Sequence, residues 1–533
     1  MSGADYSVVA VYFIAIAIIG VWASRQREDT SDDYFLGGRG MGWPAIGASL
    51  FASNISAEHF IGLAGTGAES GLAVGQFEWL ACLILLLLGW LFVPHYLRTR
   101  VYTMPEFLSR RFGPGCQTYL SAVSLVAYVF TKVSVAVYAG ALVLQTVLGW
   151  NIWVGAIVLV AATGVYTVFG GLRAVVYTDF AQCAVLLGGA ALLTWLALSK
   201  VGGFGAIRAG VPPEFLSVWR PASDAGLPWT GIVFGAPILG IWYWCTDQMI
   251  VQRTLAARDL PAARKATLLA GYLKVAPVFI LVLPGIAGRL LLPGRAPNQI
   301  YAEMVTTLLP SGLRGLVIAG LLAALMSSLS SVFNSASTLA VMDFYRRLRP
   351  EASEKRLVRA GQLATVALVV VGLLWLPFIN VISDQLFVYL QSVQAYISPP
   401  IAAVFLFGLL DKRVNNSAAL LTLWSGLAGG ALRFVAEIGV KRRFITTPWL
   451  VRFATINFLH FAALSFAASA AVLVIVSRFG APPHPEQIAL LQPAGDAPRT
   501  PAQRSNVVLS LALVVALGAL WIVFSPLVLA KPR

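Results

Sequence analysis

The stretch ASLFASNISAEHFIGLAGTG, residues 48–67, decides how the chain is read. An apolar run of helix length is interrupted there by Ser53, Asn54, Ser56, Glu58 and His59. Inside a bilayer such groups are expensive unless they pair or line a cavity, so they are functional by default. The small residues between them let a helix unwind, which frees carbonyls to bind a cation. A polar seam between two packed helices, with no ligand, is the plainer reading of the same residues.

The rest of the chain supplies the membrane. Of 533 residues, 58% are hydrophobic, against about 45–50% in soluble domains on a slightly different residue set. Only 11% are charged, under half of the usual ~25%. An ordinary soluble enzyme, a disordered chain and a fibrous protein are excluded on this ground. A membrane barrel would show short alternating segments. Here Asn151 to Phe169 and Val366 to Ile382 are continuous and uncharged, so the expectation is an all-α polytopic membrane protein. Fourteen apolar segments are expected: 6–24, 44–68, 76–97, 118–147, 151–169, 176–199, 229–251, 266–292, 312–343, 357–378, 384–410, 416–436, 449–477 and 507–528. They group as one membrane transport domain over 1–533. Within it, 6–24 is a first helix, 44–410 the core, 411–478 peripheral helices, 479–506 a cytoplasmic linker and 507–528 the last helix.

Lys and Arg outnumber Asp and Glu by 38 to 23, a net charge of +15. Most of this excess sets orientation and does not point to nucleic acid. Loops after odd-numbered segments carry 23 cations, Arg253 among them, and the opposite side carries 11. That bias places both termini outside the cytoplasm. Lys132, Lys274, Arg433 and Arg452 fall inside helices, the two arginines near ends from which they can snorkel. The four cysteines have no CxxC spacing and imply neither disulfide framework nor zinc site. There is no GxxxxGK[ST] or HExxH motif. Gly65-Thr66-Gly67 with Gly71 follows no strand and reads as a helix end.

A second polar interruption lies in the ninth segment, where Ser327, Ser328, Ser330 and Ser331 follow Ala324. Hydroxyls are hard ligands that suit sodium, although serines also pack helices closely. Glu78, Asp179, Tyr243, Trp244, Asp247, Gln248, Lys274, Gln391 and Gln394 are further polar or amphipathic groups in apolar surroundings. Amides, a carboxylate, an ammonium and an aromatic face are the mixture a sugar site needs. The seventh segment, with Gly231, Gly235, Pro237 and Gly240, sits five helices after the second. Paired interrupted helices at matching positions point to inverted repeats.

These residues resemble the sodium/solute symporter family, most of all its sodium/glucose cotransporter branch, from about Tyr34 to Arg413. The motifs are the stretch at 48–67, FEW at 77–79, GWLFVPHYLRTRVYTMPEFLSRRFG at 89–113, VYTVFGGLRAVVYTDFAQ at 165–182, WYWCTDQMIVQRTLAARD at 242–259, GYLK at 271–274, MSSLSSVFNSASTLAVMD at 326–343 and QSVQAYISPPIAAVF at 391–405. The resemblance implies a LeuT-type five-plus-five inverted-repeat core over the second to eleventh helices, working by alternating access. It implies a sodium site from Ala52, Ile55 and Ala324 carbonyls with Ser327 and Ser328. It implies sugar binding by Asn54, His59, Glu78, Lys274 and Gln391, with Tyr243 as inner gate and Trp244 beside it. Ser53, Asp179 and Ser330 match the second sodium site of some members. Val388 and Ala81 depart from sugar carriers that have polar residues there.

The expected function is therefore sodium-coupled symport of a hexose, glucose or galactose. The expectation includes no enzyme activity, no cofactor, sodium as coupling ion, and sugar, sodium and membrane lipid as partners without nucleic acid. Oligomeric state stays open. Without the long insertions and disulfides of animal members, a bacterial inner membrane is the expected location. Uptake of myo-inositol or another small polar solute is the alternative. A membrane sugar sensor, or an enzyme using Glu58 and His59 as an acid–base pair, is a remote one.

Overall fold

The structure, a computed structural model, describes residues 1–25, 30–56, 58–375, 386–491 and 501–531. Arg27, Ala57, the Glu58 and Val388 side chains and residues 492–500 of the expected linker lie outside the described residues.

Helices account for nearly all of the described chain. Among the described residues, ten helical stretches are long and apolar enough to cross a membrane. The fourteen segments expected from sequence group differently in them. His59–Thr99 joins the end of the second segment to the third, and Ile152–Val201 joins the fifth to the sixth. The latter turns at Gly171, whose φ of 49° is backbone that glycine adopts without strain. Tyr34 O would lie 2.4 Å from a Cβ there, so any side chain would also clash.

Two segments are interrupted inside the molecule. Trp43–Asn54 stops where Ile55 turns extended (φ −76°, ψ 113°), and helix resumes at Glu58. Trp229–Phe234, Ala236–Gly240 and Ile241–Thr246 stop at Asp247 (φ −74°, ψ 128°), and Gln248–Leu255 begins a new helix. The helix Leu313–Thr338 packs on both Ile152–Val201 and Trp43–Asn54 and is buried along almost its whole length. By contrast, Gly3–Ser24, Glu354–Trp375 and Pro501–Val523 carry long rows of exposed Val, Leu and Ile. Those rows are the surface a bilayer would cover.

Three boundaries differ from the sequence reading. The expected segment 449–477 is two helices, Pro448–Thr455 and Phe458–Phe479, parted at Ile456 and Asn457. Asn457 caps the second by accepting from the Leu459 N–H at 2.9 Å. The last helix begins at Pro501 and not at 507, and Pro485–Ala489 within the expected linker is helical. Arg433 does not snorkel: it is buried and donates to the Phe453 and Ile456 carbonyls, which the Pro448–Thr455 helix leaves open at its end.

Candidate functional site

The break after Asn54 creates the first half of the site. In an unbroken helix the Ser56 N–H would bond the Ala52 carbonyl. Here it donates to His59 Nδ1 at 3.3 Å. The Ala52, Ser53 and Ile55 carbonyls then need other donors, and the facing helix supplies them. Ser327 Oγ donates to Ala52 O at 2.8 Å and lies 3.1 Å from Ala324 O. Ser328 Oγ lies 3.1 Å from Ser53 O and 3.3 Å from Ile55 O. All five positions expected at the main sodium site therefore converge. The Ser53 carbonyl joins them; a backbone carbonyl has no sequence signature, so it was not foreseen.

The second half is a cavity beside this seam. Asn54, His59, Glu78, Tyr243, Trp244, Lys274 and Gln391 all line it, as do Phe77 and Gln394. Lys274 follows the last residue of Leu260–Leu273, and its ammonium reaches Glu78 Oε2 at 2.5 Å. Glu78 Oε1 lies 3.6 Å from His59 Nε2. Because His59 Nδ1 accepts from Ser56, the ring hydrogen sits on Nε2 and faces that carboxylate. Lys274 Nζ also stands 5.5 Å over the Trp244 ring, within cation–π range. Asn54 Oδ1 is buried without a hydrogen-bond partner among the described residues.

Two further cavities adjoin this one. One, with Thr66, Glu69 and Asp224, shares Phe77 and Gln391 with it. The other, with Ser53, Ser328 and Lys132, shares Asn54, Tyr243 and Gln394 and is named the inner cavity after the orientation expected from the loop charges. Tyr243 thus stands on the partition between the central and inner cavities.

The three groups matched to a second sodium are not brought together by mutual bonds. Ser53 Oγ turns to Leu50 O at 3.3 Å, and Ser330 Oγ to Ser327 O at 3.0 Å. Asp179 Oδ2 accepts from Ser49 Oγ at 2.6 Å and from Arg253 Nη2 at 3.2 Å. Arg253 corrects the sequence reading. It is fully buried and not a loop cation, because the helix restarted at Asp247 is still inside the molecule at residue 253. Its guanidinium also holds Ser49, Ser331 and the Met249 carbonyl. Lys132, placed deep by sequence, pairs with Asp247 at 2.5 Å.

Among the described residues no group of His, Cys, Asp and Glu could hold a transition-type metal cluster. The oxygens at the Ala52–Ser328 seam are instead neutral and hard, as sodium requires.

Mouse sodium/glucose cotransporter 4 is 41% identical over 529 residues, covering 91% of this chain and 77% of that protein. Rat sodium/glucose cotransporter 2 is 42% identical over 532 residues, covering 90% and 79%. Among solved structures, a Na+-coupled sialic acid symporter in a substrate-bound outward-open state superposes with a TM-score of 0.78 at 23% identity. That match covers 90% of this chain and 99% of that one. The nucleobase-cation-symport transporter Mhp1 follows at a TM-score of 0.57 and 16% identity, covering 87% and 99%. These likenesses establish the LeuT-type inverted-repeat fold. The sodium:solute symporter profile matches residues 34–426. The chain belongs to the sodium:solute symporter family: it is a multi-pass integral membrane transporter, not an enzyme, and sodium is its coupling ion.

Proposed function

We propose that this protein imports a hexose, glucose or galactose, driven by sodium. One observation carries the reading: a cavity that gathers Asn54, His59, Glu78, Trp244, Lys274 and Gln391 abuts a seam of neutral oxygens on the same broken helix. Sodium at Ala52, Ile55, Ala324, Ser327 and Ser328 takes over carbonyls now held by serine hydroxyls. It thereby fixes the segment that bears Asn54 and His59. Sugar hydroxyls then meet amide, carboxylate and imidazole groups, and the Trp244 face covers the ring's C–H surface. Both ligands favour the same arrangement, and that shared preference is the coupling. Tyr243 closes the cavity on the inner side.

The Lys274–Glu78 pair supports a neutral polyhydroxyl solute over an organic anion, because the ammonium already has its carboxylate. Myo-inositol shares that chemistry, and competition among sugars, inositol and carboxylates for uptake separates the classes. A second sodium would draw on Asp179 Oδ1, which is buried without a partner, with Ser53 and Ser330 turned from their own helices. Charge moved per sugar counts the ions. The loop charges support an orientation with both termini outside, and the lack of the long insertions and disulfides of animal members supports a bacterial inner membrane. In the site test, Lys274→Ala and Gln391→Ala each weaken sodium-dependent glucose uptake by about tenfold or more, as expected for losing a hydrogen bond to a charged or amide group. Unchanged uptake in both would sink the assignment.

A further inference from the structure

Lys132 belongs to neither the seam nor the central cavity, yet its surroundings are built with care. It lies on the helix that runs through residues 114–148, and its ammonium meets Asp247 Oδ2 at 2.5 Å, at the break of the second interrupted helix. The same ammonium stands 4.8 Å from the ring centroid of Tyr243, 4.9 Å from Tyr128 and 5.8 Å from Trp242. Met249 Sδ is 3.7 Å away. Lys132 and Tyr243 both line the inner cavity, with Ser53 and Ser328 across from them. Asp247 is held in turn by Tyr128 and by the Met249 N–H at 2.9 Å, the bond with which it caps its helix.

A pair that served only to join two helices would have no reason to present its ammonium to a ring on a cavity wall. We propose that Lys132 is the positioning residue of the inner gate. Its ammonium holds the Tyr243 ring across the passage between central and inner cavities, and Asp247 keeps the ammonium in place. The attraction is between the cation and the ring face, and it is strong where water is excluded. When the seventh helix moves, Asp247 moves with it, so the clamp on Tyr243 releases together with the helix break.

The proposal rests on the transport reading for its purpose, but its test does not. Val332 lines the inner cavity and is buried, so Val332→Cys reports access to that space. The four native cysteines are buried, and the parent protein gives their background. In the purified 533-residue chain with sodium and no sugar, the rate of maleimide labelling at position 332 is measured. Lys132→Met should raise it about tenfold, the scale of a lost desolvated cation–π contact. Lys132→Arg should return it close to the parent rate. Asp247→Asn, which still caps its helix, should also speed labelling. It keeps the proposal testable if Lys132→Met does not fold. Labelling at the parent rate in Lys132→Met or Asp247→Asn, with thermal stability retained, would overturn the proposal. So would equal rates for the Arg and Met variants. Failure to carry sugar would instead refute the hexose reading and leave this measurement unaffected.

Discussion

The break after Asn54 and the break at Asp247 are finished by different partners. At the first, the Ala52, Ser53 and Ile55 carbonyls are met by the hydroxyls of Ser327 and Ser328, from a helix about 275 positions away in sequence. These are neutral bonds of 2.8–3.3 Å, each worth about 0.5–1.5 kcal/mol net. At the second break Tyr96 Oη donates to the Cys245 carbonyl at 2.7 Å, and a carboxylate does the rest. Asp247 accepts from its own helix's Met249 N–H and from Tyr128, and it pairs with Lys132. Separating a buried pair by removing one partner costs about 3–5 kcal/mol. The first break is therefore finished by groups that an ion can replace, and the second by groups that hold the helix to its neighbour. One is suited to binding and the other to latching.

The difference can be broken where it is largest. Asp247→Ala removes the cap and strands the Lys132 ammonium, so stability should fall by about 3–5 kcal/mol, read from thermal unfolding of the purified protein. A loss under about 1 kcal/mol would mean that the second break is no firmer than the first. The first break responds through ion affinity. Ser327→Ala should weaken the apparent sodium affinity of uptake by about tenfold, the equivalent of one hydrogen-bonding ligand, while unfolding changes little. Smallest is Ser53→Ala, because that hydroxyl only turns back to Leu50 O at 3.3 Å. A shift in stability within about 0.5 kcal/mol is expected. A large drop in ions moved per sugar would show instead that Ser53 serves a second sodium.

How much of this was legible in the residues follows from where each signal lies. The polar interruption at 53–59 announces the first break, because polar groups in an apolar span demand a reason. Ser327 and Ser328 announce its partner, and the motif at 326–343 places them. The seventh helix announced an interruption through Gly231, Gly235, Pro237 and Gly240, yet the break falls later, at Asp247. That displacement also hid Arg253. Counted from a continuous helix it belongs to the loop with Arg258 and Arg264, whereas the restarted helix keeps it in the interior against Asp179. Lys132 and Asp247 were each visible as intramembrane charges, but their pairing spans 115 positions and no local pattern records it. The Ser53 carbonyl was invisible for a simpler reason: every residue has one.

The most direct test of the account is uptake of labelled glucose into proteoliposomes of the purified chain under an inward sodium gradient. The account requires accumulation above the outside concentration, lost when potassium replaces sodium and reduced about tenfold or more in Glu78→Gln, which leaves Lys274 without its carboxylate. Glucose that only equilibrates, or accumulation that persists without sodium, would contradict it.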